Sequence, residues 1–405
     1  MARERFLLVG NSTYMNHGSE AIVRGTVIIL REFFDRPEIV SAELALFPYD
    51  GISETDAGII HEPVFMPKRH SVEWFFNQAQ KAILTRPVFN KRFARRMLLP
   101  EIKKADAVLS LGGDNYIKRP FFHIAQTDLA EDLKIPAILW CASVGPFTGS
   151  ARYQKSVFNH LRNLSGIFVR ETVSQQYLAD NGVKDNVYLV EDPAFLMEPE
   201  MPDGELVENL SRNAIGISLS NLFLSHTRFS ENHEDAVYRI VEAVRQRFGR
   251  PIILVPHCVQ NRHDDHALLD GVLKNNARRW TDVKCLPKLW TAAQIKWAIS
   301  KLHAFVGARA HATIAAFSTY VPTVSLVYSF KGEGFNHRLF NCLDYVVKKE
   351  QCEPEIIVEK LELVLDNHDE IRKTLQGKMI EAKKGAMRAG HLLKKIISDS
   401  SLLGR

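Results

Sequence analysis

AFVGARAHATIAAFSTYVPTVSLVYSFKGEGF, residues 304–335, is the stretch whose order of residue types decides the fold. The apolar run 304–306 has the character of a buried strand, and Gly307 follows as a tight-turn residue. Small and apolar residues from about 308 to 318 fit a closely packed helix, and Pro322 opens a second apolar run at 323–327. Arg309 and His311 therefore stand where a parallel strand hands over to a helix. Backbone N–H groups and the positive end of the helix converge at such a place, which suits an anion. Arginine adds a planar fork for carboxylate or phosphate, and histidine can move a proton near neutral pH. Lys331, after the second strand, offers another positive charge to the same crevice.

The same alternation extends in both directions. Upstream, strand-like runs fall at 6–9, 105–111, 135–142, 166–169 and 187–190, with helical spacing at 20–31, 153–163 and 173–181. Between 214 and 327 the strands are 214–219, 252–255, 283–286, 304–306 and 323–327, and the helices between them 235–248, 264–275 and 292–300. Strands alternating with helices imply βαβ units and parallel sheets. The Pro-rich, acidic segment 198–212 reads as a linker. The expectation is an α/β chain of two doubly wound, Rossmann-like domains facing a cleft, at 1–200 and 210–350, with C-terminal helices at 351–405. Polar residues gather at the strand ends: Gly112-Gly113-Asp114-Asn115, Arg170-Glu171, Asp192-Pro193 and Pro256-His257. His257 is expected to face the same crevice as Arg309. Arg170 has two readings, a charge for the crevice or an ion pair with Glu171 or Asp192. Residues 38–100 are the least legible. There, 45–47 suggests a strand, and the aromatic, Arg- and Lys-rich 71–98 reads either as a solvated helix face or as a surface for a membrane or a lipid-linked acceptor.

A chain of 405 residues can bury two ordinary cores, and 46% hydrophobic with 24% charged residues is the balance of a globular protein. A net charge of +5 suits an anionic small substrate and is far from the dense basic stripe of a nucleic-acid binder. The five cysteines, Cys141, Cys258, Cys285, Cys342 and Cys352, form no C-x-x-C pair, so reduced thiols and no structural zinc are expected. No apolar stretch approaches a membrane span, and a cytoplasmic protein is expected, with peripheral association at the inner face of the membrane left open.

Taken together, G-A-R-A-H, the small-residue helix, V-P, a strand, Y-S-F-K and G-F resemble the most characteristic stretch of the polysaccharide pyruvyltransferase family. Other landmarks agree in order from about residue 6 to 340: N-H-G-S-E-A at 16–21, G-G-D-N, S-V-G-P, V-R-E-T-V-S, E-D-P-A-F and the P-H pair. Two positions depart from the pattern. Ser19 stands where the family has Asp, which moves any carboxylate role to Glu20, and Asp114 replaces a third Gly. The resemblance implies a GT-B-like architecture. It also implies transfer of pyruvate from phosphoenolpyruvate to two hydroxyls of a saccharide as a ketal, with release of phosphate and no metal or cofactor. Arg309, Lys331 and Arg170 would hold the donor and His311 and His257 move protons. Asn16, Glu20 and Asp114 are weaker candidates for acceptor contacts on the N-terminal domain. The alternatives are a nucleotide-sugar glycosyltransferase on the same architecture and a non-catalytic saccharide-binding relative.

Overall fold

Continuous apolar runs become strands buried on both faces, as parallel sheets require. The computed structural model describes residues 3–45, 59–65, 88–118, 120–204, 210, 212–260 and 263–402. It divides into two units, one of Met1–Thr13, Ile22–Pro193 and Lys384–Arg405, the other of Tyr14–Ala21 and Ala194–Lys383.

The first unit contains β1 (Arg5–Ser12), β2 (Glu38–Ala45), β3 (Ile59–Phe65), β4 (Ala107–Ser110), β5 (Tyr116–Lys118), β6 (Ala137–Ala142), β7 (Val144–Phe147), β8 (Gly166–Val169) and β9 (Val187–Leu189). Seven of these form one parallel sheet in the order β3-β2-β1-β4-β6-β8-β9, and β5 pairs with β7 apart from it. Chain order reverses between β1 and β4, where Val9 pairs with Ser110. The second unit contains β10 (Ile215–Ser218), β11 (Ile252–Leu254), β12 (Val283–Cys285), β13 (Ala304–Gly307), β14 (Thr323–Val327) and β15 (Val346–Lys348), in the parallel order β12-β11-β10-β13-β14-β15. This is the doubly wound order, and its reversal lies between β10 and β13, where Ser218 pairs with Gly307. Ligands of such sheets bind outside the carboxyl ends of the strands at that reversal, which directs attention to the residues just after 218 and 307.

Helices form where amphipathic spacing and end signals agree. Thr291 and Gln294 make a reciprocal capping box at the start of Ala292–Ser300. Gly249, at φ 59°, ends His233–Phe248 in the left-handed conformation that favours glycine. Val237, Ile240, Val241 and Val244 on that helix are buried with Ile215, Ile217, Ile252 and Leu254 of the sheet. Each such side chain contributes about 1.5–3 kcal/mol by leaving water.

The division of the chain differs from the expected boundaries in three places. The second unit starts at Ala194 rather than 210, because Met197 O accepts from buried Lys296 Nζ and Glu200 N–H donates to Ala293 O. The terminal helices are no separate body: Pro354–Asp366 and His368–Lys383 belong to the second unit, and the continuation of His368–Leu402 from Lys384 to the first. Residues 14–21 belong to the second unit although they directly follow β1. Of the basic stretch 71–98, residues 71–87 lie outside the described residues. In the helix Val88–Ile102, Arg92, Arg95 and Arg96 are exposed while Ala94, Leu98 and Ile102 are buried, the pattern of a solvated face. All five cysteines are free thiols. Among the described residues no helix is long and apolar enough to cross a membrane.

Candidate active site

The turn after β13 is built by steric exclusion. A Cβ at Gly307 would lie 2.8 Å from both Thr313 Oγ1 and the Phe305 ring, so the chain turns there only with glycine. Arg309 caps the helix Ala310–Ser318 from an extended conformation, φ −108° and ψ 126°. The first intrahelical bond runs from Thr313 N–H to Arg309 O, so the first-turn N–H groups of Ala310, His311 and Ala312 have no acceptor within the helix. Alanines at 310, 312, 315 and 316 let the helix lie close against its neighbours.

The Arg309 side chain is not a bare cation. Its Nε and Nη2 both donate to Asp265 at 2.9 Å, in the fork geometry that guanidinium and carboxylate share. Asp265 is fully buried at the first position of the helix Asp265–Asn275, whose cap is Asp264. Burial pushes the Asp265 carboxyl above its ordinary range, against Arg309 and the backbone N–H groups of His257 and Asn221, which favour its charged form. One carboxylate therefore ties together the segments that follow β10, β11 and β13. Burial opposes the charge on Arg309, but Asp265 outweighs it and holds the guanidinium above its ordinary range.

Residues 14–21 complete the arrangement. Val259 N–H donates to Met15 O at 2.7 Å, and Asn16 forms an antiparallel bridge with Cys258. The Asn16 side chain accepts from Gly18 N–H at 3.1 Å and its carbonyl from Ser19 and Glu20 N–H, which starts the helix His17–Phe33. Glu20, 2% exposed, lies 3.2 Å through Oε2 from His17 Nδ1 and accepts from Ala292 N–H at 2.8 Å, an anion on the positive end of Ala292–Ser300. His17, 1% exposed, meets His257 edge to face with ring centroids 5.8 Å apart. A Cβ at Gly18 would come within 2.6 Å of His311 Nδ1, so glycine alone leaves room for that ring. His257, His17 and His311 thus share one place with the Arg309–Asp265 pair. Burial holds the His257 ring well below the ordinary histidine range, and His17, His311 and Arg309 push it the same way. His257 is therefore a neutral imidazole at neutral pH. Among the described residues no group of three His, Cys, Asp or Glu side chains is arranged to hold a metal ion.

Of the residues singled out by sequence, Asn16, Glu20, His257, Arg309 and His311 come together in the second unit. Asn16 and Glu20 were expected on the acceptor side of the N-terminal domain; the bonds to Cys258 and Ala292 place them with the second unit instead. Lys331 falls in the first turn of the helix Phe330–Phe340, and its side chain lies outside the described residues. Arg170 and Asp114 belong to the first unit. There Arg170 donates to Asp192 Oδ2 at 2.5 Å and Ser143 Oγ at 3.1 Å, with Asp114 at 3.6 Å and Glu171 at 3.7 Å, so the ion-pair reading of Arg170 is the one its geometry supports. Two residues were missed. Asp265 sits in His263-Asp264-Asp265-His266, which reads as an ordinary acidic helix start, and His17 occupies the variable position of the N-H-G turn.

The family described as polysaccharide pyruvyl transferase matches residues 16–329, a span that contains every member of the cluster. The chain is 23% identical to the amylovoran biosynthesis protein AmsJ of Erwinia amylovora, over 91% of this chain and 94% of that one. Its fold is similar to a putative UDP-N-acetylglucosamine 2-epimerase from Listeria monocytogenes, at TM-score 0.61 and 12% identity over 96% and 94% of the two chains. It is also similar to UGT71G1 of Medicago truncatula, at TM-score 0.61 and 11% identity over 98% of each chain, and to the calicheamicin glycosyltransferase CalG4, at TM-score 0.55 and 15% identity over 98% and 99%. At such identities these structures speak for the α/β, GT-B-like fold alone. The family match covers most of the sequence, and the chain belongs to the polysaccharide pyruvyl transferase family.

Proposed function

We propose that this chain transfers pyruvate from phosphoenolpyruvate to two hydroxyls of a saccharide as a cyclic ketal, releasing phosphate, in the synthesis of an exopolysaccharide or other cell-surface glycan. The observation that carries this reading is the R-x-H turn of a pyruvyl transferase, brought together with His257 at the strand reversal of the second unit. The similarity to an amylovoran biosynthesis protein supports the polysaccharide setting.

The chemistry asks for an anion cradle and for proton transfer at one carbon. Arg309, fixed by Asp265, presents the guanidinium edge that Asp265 leaves open, and the N–H groups of the helix start add partial positive charge. Lys331 completes the cradle in this proposal. His311 donates its proton to the methylene carbon of the enol; C2 becomes cationic, and the first saccharide hydroxyl bonds to it and loses a proton. The C2–O bond to phosphate then breaks, the second hydroxyl bonds to C2, and its proton leaves with the phosphate. Neutral His257 hydrogen-bonds the departing phosphate oxygen through its N–H. Arg170, bound to Asp192, keeps a structural role and stands outside the donor cradle. The acceptor is a saccharide, free or lipid-linked, and the reaction is placed in the cytoplasm, where phosphoenolpyruvate is made.

The test is phosphate release from phosphoenolpyruvate over a panel of saccharide and lipid-linked saccharide acceptors. Acceptor-dependent release together with a ketal methyl signal in the product supports the reading. Sugar transfer from a UDP- or GDP-sugar, with phosphoenolpyruvate left untouched, would replace it with glycosyl transfer.

A further inference from the structure

The pyruvyl-transfer scheme leaves one proton without a carrier. His311 gives a proton to carbon, so a different group must take the proton that the first attacking hydroxyl loses. We propose that His17, oriented by Glu20, is that base. The proposal rests on the pyruvyl-transfer reading and adds a residue to it.

The geometry is that of an oriented imidazole. A carboxylate only accepts hydrogen bonds, so Glu20 Oε2, 3.2 Å from Nδ1, requires the proton of neutral His17 to sit on Nδ1. Nε2 then carries the lone pair, and it has no hydrogen-bond partner among the described residues although the ring is 1% exposed. A buried polar atom without a partner is costly and calls for an occupant. Glu20 cannot swing away, because Ala292 N–H holds the same oxygen at 2.8 Å and the dipole of Ala292–Ser300 favours the anion there. His17 lies beside the other two histidines, edge-on to His257 at 5.8 Å, with Gly18, the next residue, against His311. The titratable and charged groups around it are Glu20 on its own helix, His257 after β11, Arg309 and His311 at the start of Ala310–Ser318, and Asp265 at the start of Asp265–Asn275.

In the step assigned here, the hydroxyl oxygen bonds to C2 as its proton passes to His17 Nε2. The imidazolium so formed is paired with Glu20 through Nδ1–H. It returns its proton to His311 or to solvent before the next turnover, so no oxidant or further reactant is needed. The carboxylate absent at Ser19 has a counterpart one residue later, acting through an imidazole rather than directly.

The test compares wild type with His17→Asn, whose side-chain N–H takes the place of Nδ1–H and keeps the bond to Glu20, and with Glu20→Gln, which keeps an oxygen for Ala292 N–H. Loss of a general base lowers kcat by about 10²–10⁴-fold. His17→Asn is expected to show that loss, with phosphoenolpyruvate affinity by calorimetry unchanged and the acidic limb of the pH–kcat profile gone. Glu20→Gln is expected to lower kcat by less and to flatten the same limb. A wild type that releases phosphate beside a His17→Asn variant of equal kcat overturns the role of His17 alone. A wild type that releases none with any acceptor overturns the pyruvyl-transfer reading and this role with it. Should His17→Asn fail to fold, ¹⁵N spectra of histidine-labelled wild type decide: an Nδ1–H tautomer for His17 supports the proposal, and an Nε2–H tautomer overturns it.

Discussion

Asp265→Ala is the substitution that most sharply separates positioning from contact at this site. Asp265 is fully buried and receives Arg309 Nε and Nη2 at 2.9 Å each, with His257 and Asn221 N–H groups also favouring its charge. Removing it leaves a guanidinium, 15% exposed, without its counter-charge. Breaking a buried pair from one side costs about 3–5 kcal/mol. For a unit of this size each kcal/mol moves the midpoint by about 2–4 °C, so the unfolding of the second unit should fall by ~6–20 °C in calorimetry. Asp265→Asn keeps the shape and loses the charge, and should fall by roughly half as much. Replacing both partners, as Asp265→Leu with Arg309→Met, removes the stranded charge and should recover much of the lost stability. Ligand binding should follow a different order. Asp265→Ala lets Arg309 leave its fixed rotamer, so affinity for phosphoenolpyruvate should drop about tenfold or more although Asp265 touches no ligand in this account. The double replacement should bind no better than Arg309→Ala. An Asp265→Ala protein with an unfolding midpoint within 2 °C of wild type (roughly the shift of 1 kcal/mol) and unchanged affinity would refute the idea that this carboxylate sets Arg309 in place.

Other perturbations test separate parts of the molecule. Gly18→Ala puts a Cβ 2.6 Å from His311 Nδ1 and should lower kcat by about 10–100-fold through a misplaced ring, with a midpoint loss of only a few degrees. Lys296, 2% exposed, is pushed by burial from 10.5 down to about 7. The unfolded chain then binds more protons between those values, so stability rises with pH across that window and the penalty is complete below it. Lys296→Met should therefore stabilise by ~2–4 kcal/mol near pH 6, after allowance for the lost bond to Met197 O, and the gain should vanish by about pH 10.5 in urea titrations. Arg170→Met strands the buried carboxylate of Asp192 and should destabilise the first unit by about 3 kcal/mol while phosphoenolpyruvate affinity holds. A large loss of affinity with intact stability would return Arg170 to the donor cradle.

What could be read in advance was what local sequence controls. The run 323–327 and the helix 292–300 coincide with β14 and Ala292–Ser300, since a parallel strand is one unbroken apolar stretch and a capped helix announces its ends. The R-x-H turn was legible because Gly307 and the alanines around it fit only a close strand-to-helix passage. Less regular segments gave weaker signals. Phe121–Asp132 has six polar residues among its twelve, buries Gln126 and Thr127 beside its apolar side chains and so shows no clean apolar stripe, and Phe330–Phe340 carries Gly332 and Gly334 in its first turns, which speak against a helix. The site's partnerships were illegible for another reason. Asp265 looks like one more acidic residue at a helix start until β10, β11 and β13 bring Arg309 to it. His17 looks like part of the first strand–loop–helix unit until Asn16 bridges Cys258. Neither pairing leaves a trace in spacing, because both join segments far apart in the chain.

The most direct test of the central claim is calorimetric titration of the purified chain with phosphoenolpyruvate, run beside UDP- and GDP-sugars, on wild type and Arg309→Ala. Saturable binding of phosphoenolpyruvate that weakens by about 30-fold or more in Arg309→Ala, the loss of a charge-assisted pair worth about 2–5 kcal/mol, is the predicted result. Binding of a nucleotide-sugar in its place, or phosphoenolpyruvate binding that Arg309→Ala leaves intact, would contradict it.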